Sequence, residues 1–302
     1  MFKEYQDYLS FIRVGKMSPH TIRSYEGALK RFVDFFSLDN SEMLNTLVSD
    51  DLRKYQKSLS ESGLTESSVN SHFRYIHIFV QWLLSNKKIT NNPFDGIKSL
   101  KEGEKDVAVF FTIEERDAML NTCTNPMKKL MLGIMFFSGL RREEVCDVLV
   151  TDFNPEERTL IIHGKNSKQV KQEFLSPYVV NLFNVYMNKR KSDSQYLFSS
   201  QKIGFGKENT GWHKLTGGSV LNIVRSAALH AGIAPEKVAK AGAHTTRRSC
   251  ACHLALLGVN DFQIQAHMRH EQISTTQRYV EPARQMLAAQ AAQVLPEPKE
   301  YK

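Results

Sequence analysis

Apolar residues recur every three or four positions through most of this chain, a spacing that predicts a largely helical protein. In SPHTIRSYEGALKRFVDFF the positions Ile22, Tyr25, Leu29, Phe32, Val33 and Phe36 share one helical face. Ser18 is placed to cap that helix, and Pro19 suits its first turn. SDDLRKYQKSL repeats the pattern with Leu52, Tyr55 and Leu59 inward. ESSVNSHFRYIHIFVQWLLSN does so with Val69, Phe73, Ile76, Phe79, Val80 and Leu83. Together with MFKEYQDYLSFIR, these segments predict a bundle of four or five helices over residues 1–95.

The pattern changes at NNPFDGIKSLKEGEKD, where a proline, two glycines and many charges interrupt it. Residues 96–107 therefore read as a linker, and residues 108–302 as a second domain. There TIEERDAML and PMKKLMLGIMFFSG predict helices, the second ending at Gly139. RTLIIHG and KQEFLS are strand-like and are joined by KNSKQV, a hairpin with a polar tip. VVNLFNVYMNKR, GSVLNIVRSAALHAG, TTRRSCACHLALLG and a tail helix, EPARQMLAAQAAQVL, predict further helices. The expected fold is multidomain, α followed by α+β: a helical bundle, then a mostly helical domain with a small antiparallel sheet.

Composition narrows the function. Hydrophobic residues make up 41% of the chain and charged residues 24%, the balance of a globular protein. No apolar run approaches the ~20 residues that span a bilayer. MFKEYQDYLSFIR is too charged for a secretory signal, so a cytoplasmic location is expected. Cys123 and Cys146 stand alone, and Cys250 and Cys252 flank Ala251, a spacing ill-suited to a disulfide or a zinc pair even with His244 and His253 near. Buried thiols, no metal and no cofactor are the expectation. The net charge of +8 favours a polyanionic partner, nucleic acid first. Arg23, Lys30, Arg31, Lys54, Lys57 and Arg74 are candidates for phosphate contact, in competition with an ordinary solvated helix face.

Three clusters carry candidate chemistry. SGLRREEV places Arg141 after a glycine turn with Glu144 three residues on, close enough to interact along one helical face. HTTRR sets His244 and Arg247 three apart, again on one face. HMRHEQISTTQRY holds His270 and Tyr279. A tyrosine attacking a phosphodiester must lose its proton. The pentacoordinate phosphorus gathers charge that planar, permanently cationic guanidinium groups suit. The leaving oxygen needs a proton, which a lysine can give, and histidines can bond the phosphate or move protons. Two arginines, a lysine, one or two histidines and a tyrosine form a complete set without a metal ion.

In that order and spacing the motifs resemble the tyrosine recombinases of the phage-integrase family, in outline the simple two-domain, Xer-like members. SGLRREEV resembles the first arginine box and implies Arg141 as a catalytic arginine, supported by Glu144. HGKNSKQ resembles the family's lysine hairpin and implies Lys165, with Lys168 beside it as a DNA contact. HTTRRSCACHLALLG resembles the second box and implies His244 and Arg247; HMRH implies His270; ISTTQRY implies Tyr279 as nucleophile. Three residues depart from the pattern: Arg248, itself a candidate DNA contact, replaces a usual histidine, Arg269 a usual glycine, and Asn166 the common hairpin glycine.

The resemblance implies a core-binding, SAM-like helical domain and a catalytic domain that together clamp duplex DNA. It implies cleavage through a 3′-phosphotyrosyl intermediate, strand exchange through a Holliday junction, paired half-sites, a dimer on each site and a tetramer in synapsis. A second recombinase or an accessory factor is a further possible partner. The stripe of Met286, Leu287 and Val294 within residues 283–295 implies a helix exchanged between protomers, with packing on its own domain as the alternative. Two rival readings use the same residues: a type IB-like topoisomerase, and a non-catalytic DNA-binding regulator of recombinase descent.

Overall fold

A computed structural model describes residues 2–15, 17–101, 103, 108–164, 170–201, 211–242 and 244–294. The chain divides into two compact units, Met1–Asp106 and Val107–Lys302. In the first, α1 (Lys3–Val14), α2 (Pro19–Phe36), α3 (Ser49–Glu61) and α4 (Glu66–Ser85) form a bundle, with a 3₁₀ turn at Ser41–Thr46. Ser18 caps α2 by accepting from the Thr21 amide at 3.1 Å, and Thr65 caps α4 through Ser68 at 3.3 Å. The apolar periodicity is legible in the core: Leu29, Phe32, Leu52, Tyr55, Leu59, Val69, Ile76, Phe79, Val80 and Leu83 are buried. Ile22 and Phe36 lie at its margin, near the two ends of α2, where a helix face runs out of neighbours.

The second unit runs α5 (Ile113–Thr122), α6 (Pro126–Phe137), α7 (Arg142–Asp147), β1 (Phe153–Asn154), β2 (Thr159–His163), β3 (Val170–Phe174), α8 (Pro177–Lys189), β4 (Ser199–Gln201), β5 (Trp212–Lys214), α9 (Gly217–His230), α10 (Pro235–Lys240), α11 (Thr245–Leu256), α12 (Asp261–Met268) and α13 (Ile273–Val294). Strands β1, β2 and β3 form an antiparallel sheet with Leu160 opposite Glu173 and His163 opposite Val170. The short pair β4 and β5 makes a second sheet. At three residues each, these two strands are too short to carry a periodicity.

Helix α6 is apolar all round and forms the centre of this unit, with Leu130 to Phe136 buried. It packs on α8 and α11. Gly133 lets α8 come close, since a Cβ there would stand 2.8 Å from Leu182 Cδ1. Strand β3 reverses the usual order: Val170 and Phe174 are exposed, and the one buried side chain is a carboxylate, Glu173.

The tail helix differs from expectation. It starts at Ile273 rather than after the tyrosine, so Tyr279 lies within it, and Pro282 sits inside it. Proline removes one backbone hydrogen bond there, but Thr276, Val280 and Ala283 are fully buried and hold the helix through that position.

Candidate active site

Between α6 and α7 the chain turns at Gly139, whose φ is +56°. A Cβ there would lie 2.7 Å from Met268 Sδ, so both conformation and space call for glycine. Arg141 then becomes the N-cap of α7 rather than a residue on its face. Glu144 accepts from the Arg141 amide at 2.7 Å and from its Nη1 at 2.6 Å. That is a capping interaction which also aims the guanidinium. The Arg141 side chain keeps 44% exposure, while Glu144 keeps 11%.

Arg247, on the first turn of α11, is 1% exposed. It donates to the Gly139 and Met268 carbonyls, joining the glycine turn to the end of α12. Burial pulls its guanidinium below the ordinary arginine range, and the neighbouring Arg141 and Arg269 cations add to this. Glu144 and Tyr279 act the other way.

The histidines flank these cations. His244 sits exposed at the N-terminus of α11. Desolvation and then Arg247, Arg141, Arg248 and Arg142 hold its imidazole below the usual range. His270 is buried; its Nδ1 pairs with Thr276 Oγ1 at 2.8 Å, and its Nε2 is buried with no partner. Burial, then Arg247, Arg141 and Arg269, push its pKa down to about 4. Its ring meets Tyr279 edge-on, centroids 5.0 Å apart. The Tyr279 carbonyl accepts from Cys252 Sγ at 3.1 Å.

Arg141, Glu144, Arg247, His270 and Tyr279 are thus brought together, with His244 close enough to feel both arginines. Lys165 and Lys168 lie outside the described residues. The base of their hairpin is anchored by His163 Nε2, 2.9 Å from the buried Asp152 carboxylate. Arg248 is half-buried: its Nη1 donates to the Val109 carbonyl at 3.0 Å, and its guanidinium lies over the Tyr279 ring. Arg23 and Lys30 on α2 and Arg74 on α4 are exposed in the first unit. Cys146, Cys250 and Cys252 are buried free thiols, and Cys123 is half-buried. His253 donates to the Phe111 carbonyl at 2.7 Å.

Sequence reasoning missed a buried ionic group behind the arginines. Arg269 ends α12 in the left-handed region, φ +55°, with its side chain 5% exposed. It donates to Glu173 on β3 and, through Nη2, to the Ser138 carbonyl at 3.1 Å. His267 Nδ1 is 2.9 Å from the other Glu173 oxygen, and its Nε2 donates to the Phe137 carbonyl at 3.0 Å. Both ring nitrogens face acceptors, so this imidazole is cationic. Burial opposes the charge, but hydrogen bonds with Cys250 and Glu173 outweigh it and push the pKa up to about 10. The one visible signal was a bulky residue standing where the family pattern has glycine.

The two histidines imply opposite pH limbs. A raised pKa such as that of His267 stabilises the fold fully below about 6.5 and loses that contribution as pH rises toward about 10. A depressed pKa such as that of His270 contributes above about 6.5 and is lost as pH falls through about 4. In urea titrations across pH, His267→Gln is expected to flatten the alkaline limb, by up to about 1.4 kcal/mol for each pH unit between its ends. His270→Gln is expected to flatten part of the acid limb instead. An unchanged alkaline limb in His267→Gln would contradict the ionic assignment.

Comparison with known proteins bears on the family and the fold. Residues 110–286 match the model of the phage integrase family, and residues 2–87 match that of the phage integrase N-terminal SAM-like domain. A tyrosine recombinase of Pseudothermotoga lettingae is 28% identical over 284 residues, 93% of this chain and 93% of that protein. The tyrosine recombinase XerC of Anoxybacillus flavithermus is 24% identical over 285 residues, 90% of each. The Tn1549 transposon integrase, solved in complex with transposon right end DNA, shares the fold with a TM-score of 0.71 at 19% identity, over 95% of this chain and 99% of that one. No helix among the described residues is long and apolar enough to cross a membrane.

Proposed function

This chain belongs to the phage integrase family, and on that premise we propose that it is a tyrosine site-specific recombinase acting through Tyr279. The phenolic oxygen attacks a backbone phosphorus, the bond from phosphorus to the 5′ oxygen breaks, and a 3′-phosphotyrosyl ester and a 5′-hydroxyl result. Arg141 and Arg247 take the non-bridging oxygens, where charge develops in the transition state. Lys165 gives the leaving oxygen its proton, and His244 assists proton transfer. A 5′-hydroxyl from another strand then attacks the ester and releases Tyr279. The ester conserves the energy of the broken bond, so rejoining needs no nucleotide cofactor. The guanidinium groups supply the charge that a metal ion brings to other phosphoryl transfers.

The observation that carries this reading is the pocket around the unpaired His270 Nε2. A buried polar atom without a partner is costly, and this one lies within the field of Arg141, Arg247 and Arg269, beside the Tyr279 ring. In the tautomer where Nδ1 accepts from Thr276, Nε2 carries a hydrogen for which a phosphate oxygen is the fitting acceptor.

The partner is double-stranded DNA with paired half-sites, contacted by Arg23, Lys30, Arg74 and Lys168 and bound in the cytoplasm. A dimer forms on each site and a tetramer in synapsis, with a second recombinase or an accessory factor where the element requires one. Residues 1–95 are the core-binding domain, 96–107 the linker and 108–302 the catalytic domain. Residues 283–295 are exchanged between protomers. In support, Met286 and Leu287 are 36% and 39% exposed, beyond Ala283, where packing on the chain's own domain ends. A type IB-like topoisomerase uses similar side chains. End-to-end similarity to proteins named tyrosine recombinases favours the recombinase.

Tyr279→Phe is expected to bind a randomised duplex library as the wild type does and to form no covalent adduct on denaturing gels. An adduct with that variant would reject Tyr279 as the nucleophile.

A further inference from the structure

We propose that Arg248 is a positioning residue for the nucleophile, holding the Tyr279 ring against α11 through a cation–π contact. This rests on Tyr279 being the attacking residue.

The Arg248 guanidinium carbon lies 5.4 Å from the centroid of the Tyr279 ring, within the range of attraction between a cation and an aromatic face. His270 closes on the same ring edge-on at 5.0 Å. One helical turn beyond Arg248, Cys252 Sγ donates to the Tyr279 carbonyl. Helix α11 therefore holds both the ring and the backbone of the tyrosine, and carries Arg247 at the adjacent position.

Arg248 is itself fixed. Its Nη1 bonds to the Val109 carbonyl, and the next residues of that segment are tied to α11 by Ser249 and His253, both through Phe111. Arg248 Nε is buried without a partner. A methionine would fill similar space without that cost, so packing alone does not account for an arginine. The contact to the ring is the compensating interaction. A phenolate ring is richer in electrons than a phenol ring, so the attraction grows as the proton leaves. A contact that strengthens toward the transition state speeds the chemical step.

The test uses the full-length protein and Arg248→Lys, Arg248→Gln and Arg248→Met. Lysine keeps a cation, glutamine keeps a donor for Val109, and methionine keeps bulk. A duplex captured covalently by the wild type from a randomised library is synthesised twice, with oxygen and with sulfur at the 5′ bridging position of the scissile phosphate. Sulfur leaves without needing a proton. At saturating protein, Arg248→Gln and Arg248→Met are expected to cleave about 10- to 100-fold more slowly. The loss should be equal on both duplexes, and Arg248→Lys should recover part of the rate.

Recovery with sulfur would assign Arg248 to the leaving group and overturn the proposal. A loss confined to DNA affinity would make it a DNA contact and overturn it too, as would equal rates for the lysine and glutamine variants. If Arg248→Met fails to fold, the comparison of lysine with glutamine decides. Capture of no duplex by the wild type would remove the underlying recombinase reading, and this proposal with it, whereas normal capture with unchanged variant rates would sink the proposal alone.

Discussion

Arg247→Ala is expected to lose strand cleavage and stability together, whereas Arg141→Ala loses cleavage alone. Arg247 is buried and bridges the Gly139 and Met268 carbonyls. Its removal leaves the Met268 carbonyl without its donor, leaves the Gly139 carbonyl only the long bond from Arg269 Nη2 at 3.4 Å, and opens a cavity between α6, α11 and the end of α12. The expected destabilisation is on the order of 3 kcal/mol. The Arg141 side chain is 44% exposed, and its amide is capped by Glu144 whatever side chain it carries. Truncating it should change stability by less than about 1 kcal/mol. Each loss should slow single-turnover cleavage by at least ~10²-fold, the scale for removing one donor from a developing oxyanion. Urea denaturation beside covalent-adduct kinetics checks both. Equal stability losses in the two variants would contradict the division into a structural and an exposed arginine.

Arg269 and Glu173 are expected to be coupled in a double-mutant cycle. Glu173→Gln removes the carboxylate shared by Arg269 and His267, leaving Arg269 only the more distant Glu144 carboxylate at 3.8 Å and His267 free to give up its proton, and should cost about 3 kcal/mol. Arg269→Gly is milder, because Glu173 keeps His267 as a partner and glycine suits the left-handed backbone that arginine holds at φ +55°. Introduced into Glu173→Gln, however, Arg269→Gly should cost less than it does alone, since the ion pair it would break is already gone. A double-mutant cycle by denaturant titration measures this. Additive losses would mean that the two side chains do not share an ion pair.

Much of the fold was legible because the core is built on helical periodicity. Every buried position read from α3 and α4 rests on spacing alone. What escaped had no periodicity to show. Strands β4 and β5 are too short, and α10 and α12 are six and eight residues long. The start of α13 was obscured because Pro282 and the polar run before Tyr279 look like a break, although tertiary packing at Thr276 and Val280 carries the helix through.

The candidate site divides in the same way. Arg141, Arg247, His270 and Tyr279 could be named because their order along the chain resembles a known family. Their supports could not. Glu173 looks like a surface residue of an edge strand, and nothing local reveals that β3 faces it inward against α12. The spacing puts Arg141 on a helical face, but it caps the helix, because α6 ends at Phe137, Gly139 turns the chain and α7 begins only at Arg142. Arg248 was read as a DNA contact from its charge. Only the folded packing of α11 against α13 brings it over the Tyr279 ring.

The most direct test of the central claim is the chemical identity of a trapped intermediate. The protein is incubated with duplex DNA carrying 5′-bridging sulfur, denatured, digested with nuclease and protease, and sequenced by mass spectrometry. The expected result is a nucleotide esterified through its 3′ phosphate to Tyr279, with loss of that adduct in Tyr279→Phe. A nucleotide attached to any other residue, or attached through a 5′ phosphate, would contradict it.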